Sequence, residues 1–219
     1  MPDAADAPLE GWWARLLDEE QPGSPRQQTL VAVLGHEFPA RAVVDLPGTR
    51  RPTGWQLAVR RDVDGGRVRS VEVALPGAPL LWYVELPEPG AAPPATTLLA
   101  FSDPRQAEGA FLTEAEARAA QARGTEQVAA LRWWTHSGLV HQIYVSPSHR
   151  RRGVAGKLVQ AAYGVQFARG LPALHGDGRR TDLGESFREG LPAYAAWRLA
   201  PRTEHLPPMT PGEAAPVTP

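Results

Sequence analysis

The chain has 219 residues, a formal net charge of −1 and no cysteine, with 21 glycines and 23 prolines. Near-neutral charge argues against a general nucleic-acid or membrane-surface binder, which would usually be basic. Without cysteine there is no disulfide framework, no thiolate nucleophile and no cysteine-ligated zinc site.

The N-terminal Met-Pro-Asp-Ala-Ala-Asp lacks the basic and apolar regions of a signal peptide. No apolar run approaches the roughly 18–20 residues of a membrane span, so a cytoplasmic protein is expected. Leu9, Trp12, Trp13, Leu16 and Leu17 are spaced as one face of a short amphipathic helix, ended by Gln21-Pro22-Gly23. Its tryptophans are expected to pack on their own domain rather than on a partner. From Thr29 the pattern turns to strands: Thr29–Leu34, then Trp55–Arg61 and Val68–Leu75 flanking the hairpin turn Asp62-Val63-Asp64-Gly65-Gly66, then Leu80–Leu86. His36-Glu37 has no second histidine at helical spacing, so no metal site is predicted there. Pro87 to Pro94 reads as a linker.

Thr96–Phe101 reads as a strand, and Thr113-Glu114-Ala115-Glu116 as a capping box that starts a helix stopped by Gly124. Ala115, Ala119 and Ala122 would be its buried face. Glu126–Trp134 and Leu139–Val145 form a second hairpin around His136-Ser137-Gly138, followed by a helix at about 154–169. Leu171–His175 reads as a short strand, and a short helix starts at Asp182 and closes at Gly190-Leu191-Pro192. The last 19 residues hold six prolines and almost no apolar periodicity, the pattern of a disordered or draped tail.

The chemistry concentrates between Leu139 and Lys157. Val140, Ile143, Tyr144 and Val145 make a strand, which Pro147 ends because it has no N–H to give. Arg150, Arg151, Arg152 and Gly153 follow, and then a helix with Ala155, Leu158, Val159, Ala162 and Val165 on one face. The first N–H groups of a helix have no partner within it and carry partial positive charge. Glycines let an anion approach the backbone closely. The order strand, Arg/Gly loop, helix is therefore a candidate phosphate or pyrophosphate cradle. A P-loop and a dinucleotide fingerprint both need glycine spacings that are absent here. Lys157 is the single lysine among 23 lysines and arginines, so arginine-richness elsewhere reads as codon bias.

The string Arg150-Arg151-Arg152-Gly153-Val154-Ala155 fits [QR]-x-x-G-x-[GA]. With Ile143-Tyr144-Val145-Ser146-Pro147 before it, it resembles the acyl-CoA-binding motif of the GCN5-related N-acetyltransferase (GNAT) superfamily. His175-Gly176-Asp177-Gly178-Arg179-Arg180-Thr181-Asp182-Leu183-Gly184 resembles a second string, His-x-x-x-Arg-Thr-x-x-Gly, found in a subgroup of small acetyltransferase-like proteins. The resemblance covers about a third of the chain. It implies an α/β (α+β) fold, a mixed, mostly antiparallel sheet flanked by helices. Two further strands usually follow the last helix of that fold, and here Tyr194–Leu199 offers at most one. The expected organisation is a hairpin-rich region of unassigned role at 1–95, a GNAT-like domain at 96–200, and a Pro-rich tail at 201–219.

The same resemblance implies acetyl-CoA as cosubstrate and an amine as acceptor. Ile143, Tyr144 and Val145 would line the pantetheine arm, and Arg150, Arg151, Arg152, Gly153, Val154, Ala155, Gly156 and Lys157 would form the pyrophosphate loop. An amine must lose a proton before it attacks a thioester, so a base near this strand is useful. His141 is the first candidate because neutral imidazole suits that role near neutral pH, and His175 is the second. Many family members protonate the leaving thiolate with a tyrosine. The nearest position here is Phe187, which cannot donate a proton, and Tyr194 lies seven residues on. The leading reading is an N-acetyltransferase with an unidentified amine acceptor. A non-catalytic acyl-CoA-binding module is the alternative, and a nucleic-acid binder using Arg150–Arg152 is a third reading, disfavoured by net charge.

Overall fold

Short runs of β-branched and aromatic residues, separated by Gly- and Pro-rich turns, fold into two five-stranded sheets. The computed structural model describes residues 11–17, 25–191 and 199–207. The chain divides into two units, 1–174 and 175–219. In the first unit one sheet has the order β3 (Val43–Leu46), β1 (Gly11–Leu17), β2 (Gln27–Leu34), β4 (Trp55–Asp62), β5 (Val68–Val73). The second has the order β10 (Val140–Val145), β9 (Ala129–Trp134), β7 (Ala95–Phe101), β6 (Trp82–Glu88), β8 (Phe111–Thr113). Within these two sheets the pairings are antiparallel except β1 with β3 and β6 with β8. This mixed α/β architecture, without a closed barrel, is consistent with the expected fold class, but the sheet is doubled.

The two sheets share one helix, α2 (Val154–Ala168). Leu57 and Val59 of the first sheet, Leu98 and Leu131 of the second, and Leu158 and Val165 of α2 belong to one buried cluster. Contact is closest at Gly164, where an added Cβ would stand 2.7 Å from Val59 Cγ2 and 2.8 Å from Leu57 Cδ2. Trp13 of β1 stacks on Phe167 of α2, with ring centroids 3.7 Å apart and planes within 5°. The C-terminal end of α2 is closed by polar contacts: Arg61 donates to the Ala168 carbonyl, and Gln166 Nε2 donates to Thr135 O at 3.2 Å and Pro172 O at 3.0 Å.

Sharing α2 in this way moves the expected boundaries. The hairpins before residue 95 bury side chains in the same core as the strands after it, so no unit boundary falls at residue 95. The predicted N-terminal helix is strand β1. Trp12, Ala14 and Leu16 pack on one face of the sheet and Trp13 on the other. A strand buried on both faces is apolar at consecutive positions, and seven such residues mimic a helical stripe. Its tryptophans do pack within their own unit, as expected. Leu9 lies outside the described residues.

Smaller corrections follow the same logic. Pro87 and Glu88 belong to β6, so the predicted linker shrinks to a turn. The helix α1 (Glu114–Ala119) has its capping box, with Thr113 Oγ1 accepting from Glu116 N and the Glu116 carboxylate accepting from Thr113 N. Its buried residue is Ala117, whereas Ala115 and Ala119 are exposed and Ala122 only partly packed. Residues 171–174 form no strand, and among the described residues no strand after α2 joins either five-stranded sheet.

In the second unit, α3 (Asp182–Glu189) starts at Thr181, whose Oγ1 accepts from Gly184 N at 3.1 Å. Arg180 donates to Glu185 at 2.7 Å and to the Ala200 carbonyl at 2.6 Å. The Arg-Thr-x-x-Gly string thus acts here as a helix cap and brace. β11 (Arg179–Arg180) pairs in parallel with β12 (Glu204–His205), so residues 201–207 are structured rather than draped. Residues 208–219 lie outside the described residues. No helix among the described residues is long and apolar enough to cross a membrane.

Candidate functional site

β10 runs at the edge of its sheet, with β9 on one side and no strand partner on the other among the described residues. It leads through a 3-10 turn at Pro147–His149 into the arginine loop and α2. Arg150 folds back, its Nε donating to Val145 O at 3.2 Å and closing the end of β10. Arg151 has φ 57° and Gly153 φ 76°, two left-handed residues that reverse the chain into the helix. Arg151, Arg152 and Gly153 are exposed. The N–H groups of Val154, Ala155 and Gly156 start the helix with no hydrogen-bond partner among the described residues. Orphan amides, a 15-residue helix behind them and two exposed arginines together suit a diphosphate. The edge of β10 offers backbone groups to an amide-bearing arm such as pantetheine.

Lys157 departs from the expected role. It is 2% exposed, and its ammonium donates to Pro79 O at 3.0 Å and to Glu108 Oε1 at 2.5 Å. Its charge is spent holding two loops to the first turn of α2. Exposed Gly153 has little room for a side chain, since an added Cβ would lie 3.0 Å from Ala78 Cβ. The Leu75–Pro79 turn of the N-terminal hairpins therefore borders the helix start. Val154 is buried, so only its backbone faces the loop, while Ala155 and Gly156 are partly exposed.

His141 sits on the same strand. The β10–β9 register shifts between Val140 and Gln142, which makes His141 the extra residue of a β-bulge. The bulge restores the phase of the strand: Val140, Ile143 and Val145 all pack on the core, while His141 and Gln142 are both exposed. Tyr144, out of phase with the core-facing residues, is half-buried. The imidazole lies against Trp134, with centroids 4.8 Å apart and planes tilted by 33°.

The arginine loop, the strand before it and the helix after it fall inside one recognisable segment. Residues 93–176 match the acetyltransferase (GNAT) family. No curated protein and no solved structure gives a significant match to the chain. The GNAT segment holds β7 to α2, including His141 and the whole loop, and the family implies acyltransferase chemistry. It leaves out β1 to β6, although β6 is hydrogen-bonded within the same sheet between β7 and β8.

The structure thus joins Ile143, Tyr144, Val145 and the arginine loop to His141 on one continuous strand and turn. His175 and Phe187 belong to the second unit, and Tyr194 lies outside the described residues. Glu88, Arg132 and Trp134 have no part in the sequence-based reading. Arg132 stacks over Trp134, its guanidinium 4.7 Å from the ring centroid, and pairs with Glu88 through contacts of 2.8–3.2 Å. Arg132 and then the Thr97 hydroxyl hold the Glu88 carboxyl below the usual carboxylate range. The available signal is the alternation of β9, which turns Ala129, Leu131 and Trp133 to the core and leaves Arg132 and Trp134 on the opposite face.

Proposed function

We propose that the chain is an N-acetyltransferase that moves an acetyl group from acetyl-CoA to an amine. The observation that carries this reading is the exposed Arg151-Arg152-Gly153 turn, opening onto unpartnered helix amides directly after a bulged edge strand. The diphosphate would take the amides of Val154, Ala155 and Gly156 and the charges of Arg151 and Arg152, and pantetheine would run along β10. An acceptor amine reaching the thioester from the exposed face of β10 meets His141. His141 takes one amine proton as nitrogen attacks the carbonyl carbon; the carbon–sulfur bond then breaks and CoA leaves as thiolate. A thiol with pKa of about 8.5 is a good leaving group, so the step does not require a dedicated acid. Phe187 in place of the family tyrosine is consistent with that, and it also favours the alternative, an acyl-CoA-binding module without turnover.

Calorimetry with acetyl-CoA, paired with thiol-release assays across small amines, polyamines and peptide amines, tests both readings. Binding with turnover supports the enzyme, binding without turnover on any amine supports the module, and no binding removes both. Arg151→Ala with Arg152→Ala is the cleaner probe of the loop, because both side chains are exposed. Gly153→Val would combine left-handed strain with a clash at Ala78.

A further inference from the structure

We propose that Trp134, held by Arg132 and Glu88, is a positioning residue that sets the orientation of the His141 imidazole. This rests on the reading of His141 as the base.

A histidine on an exposed bulge has several staggered side-chain conformers open to it. A base must instead keep one nitrogen within hydrogen-bond reach of the proton it removes. Catalytic histidines are usually oriented by a hydrogen bond from a third group. Among the described residues the His141 ring makes no such bond, so none of them occupies either nitrogen, and the ring lies against that of Trp134. That ring is fixed in turn. Arg132 lies over it, and the Arg132 guanidinium is held by a two-pronged pairing with Glu88, Nε to both carboxylate oxygens and Nη2 to Oε2. Thr97 Oγ1 donates to Glu88 Oε1 at 2.6 Å, occupying a further lone pair. Sheet register builds the row: Thr97 is opposite Arg132, Ala95 is opposite both Glu88 and Trp134, and Gln142 is opposite Arg132. The support therefore comes from β6, β7 and β9, inner strands of the sheet, and not from loops. A base oriented by a ring face keeps both nitrogens available, one to take the proton and the other to meet water.

The test is a double-mutant cycle. Trp134→Ala, Trp134→Phe and His141→Gln are made singly, and Trp134→Ala is repeated in the His141→Gln background. kcat and KM for the amine are measured together with acetyl-CoA affinity. Trp134→Ala should lower kcat about tenfold, a modest share of the ~10²-fold that misplacement of a reacting group can cost. Acetyl-CoA affinity should be unchanged, Trp134→Phe should recover most of kcat, and in the His141→Gln background Trp134→Ala should do nothing further. An equal loss in that background would overturn the proposal, because Trp134 would then act without His141. An active Trp134→Ala beside an inactive His141→Gln would also overturn it while sparing the base. A fully active His141→Gln would remove the base reading and this proposal with it. NMR gives a readout that needs no acceptor: the His141 ring protons should carry a Trp134 ring-current shift that Trp134→Ala abolishes. Ring-proton shifts indifferent to that substitution would mean the contact does not exist in solution.

Discussion

Lys157 and Glu108 form a lopsided ion pair: the lysine side chain is 3% exposed, the glutamate 37%. Their energetics should be lopsided as well. Glu108→Ala leaves a buried ammonium with the Pro79 carbonyl as its one remaining partner among the described residues, a cost on the order of 3–5 kcal/mol for an uncompensated buried charge. Lys157→Met fills the same space without charge and leaves a carboxylate that can turn to water, so it should cost less than about 1.5 kcal/mol. Chemical denaturation of the two variants checks the order. A larger loss for Lys157→Met would mean that the lysine does more than satisfy its neighbours.

The loop is the part of the site that the sequence displays openly, because every signal in it is local. Strand, proline, arginines, glycine and helix follow one another within twenty residues, and each acts on its immediate neighbours. What escapes is held together at long range. Lys157 finds Pro79 and Glu108 at separations of 78 and 49 residues, and Arg132 finds Glu88 at 44. No periodicity reports such pairs. β1 escapes for another reason. Gly-Trp-Trp-Ala-Arg-Leu-Leu is buried on both faces between two neighbouring strands, which erases the alternation that marks an ordinary strand.

Tyr83 offers a substitution expected to stabilise. Its hydroxyl is buried, with no hydrogen-bond partner among the described residues. Burial first, and then the charge of Glu108, push its pKa far above the ordinary tyrosine value, so it stays protonated. An unpaired buried hydroxyl carries a desolvation cost of about 1–3 kcal/mol, which Tyr83→Phe removes while keeping the ring. Thermal unfolding of Tyr83→Phe should show a higher Tm, and a drop would reveal a hydroxyl interaction.

Asp62 links stability to acid. Its side chain is 7% exposed and pairs with Arg69, with Nη2 to Oδ2 at 2.6 Å. The hydrogen bond from Arg69 is the main reason its pKa lies below the ordinary value, with Gln27 assisting. A depressed folded-state pKa means that the contribution is complete above the unfolded value and is lost as pH falls through the folded one. Asp62→Asn should therefore cost about 1–2 kcal/mol at pH 7, after allowance for the partly exposed Arg69. The gap to the parent chain should begin to narrow near the unfolded aspartate value of about pH 4 and close only below the lower folded value. A gap independent of pH would show that the asparagine defect is steric.

Residues 203–206 should be needed by the second unit. Thr203 N donates to Gly178 O at 2.9 Å, Leu206 N to Arg180 O at 3.0 Å, and Glu204 pairs with Arg179 at 2.7 Å. Ending the chain at Arg202 removes all three, whereas ending it at Pro207 keeps them. Hydrogen exchange over residues 176–191 should accelerate in the shorter variant and stay near the parent rate in the longer one. Equal protection in both would show that β12 adds nothing to that unit.

His141 carries the most demanding prediction. If it is the base, kcat/KM should rise with pH and then level off in the parent chain, and His141→Ala should abolish that rise. His141→Ala should lower kcat by the ~10²–10⁴ typical of lost base catalysis, with acetyl-CoA affinity unchanged because the loop lies beyond the far end of β10. His141→Gln should fail as badly, since an amide can hydrogen-bond but cannot take the proton. A structural histidine behaves in the opposite way. Its glutamine variant would work, and its alanine variant would lose stability rather than rate. The exposed position of His141 on a bulge, lying against the Trp134 ring, argues against a large stability loss on its substitution. Rate at fixed stability is therefore the decisive measurement. A His141→Gln enzyme with parental kcat and an unchanged pH profile would return the search for the base to His175.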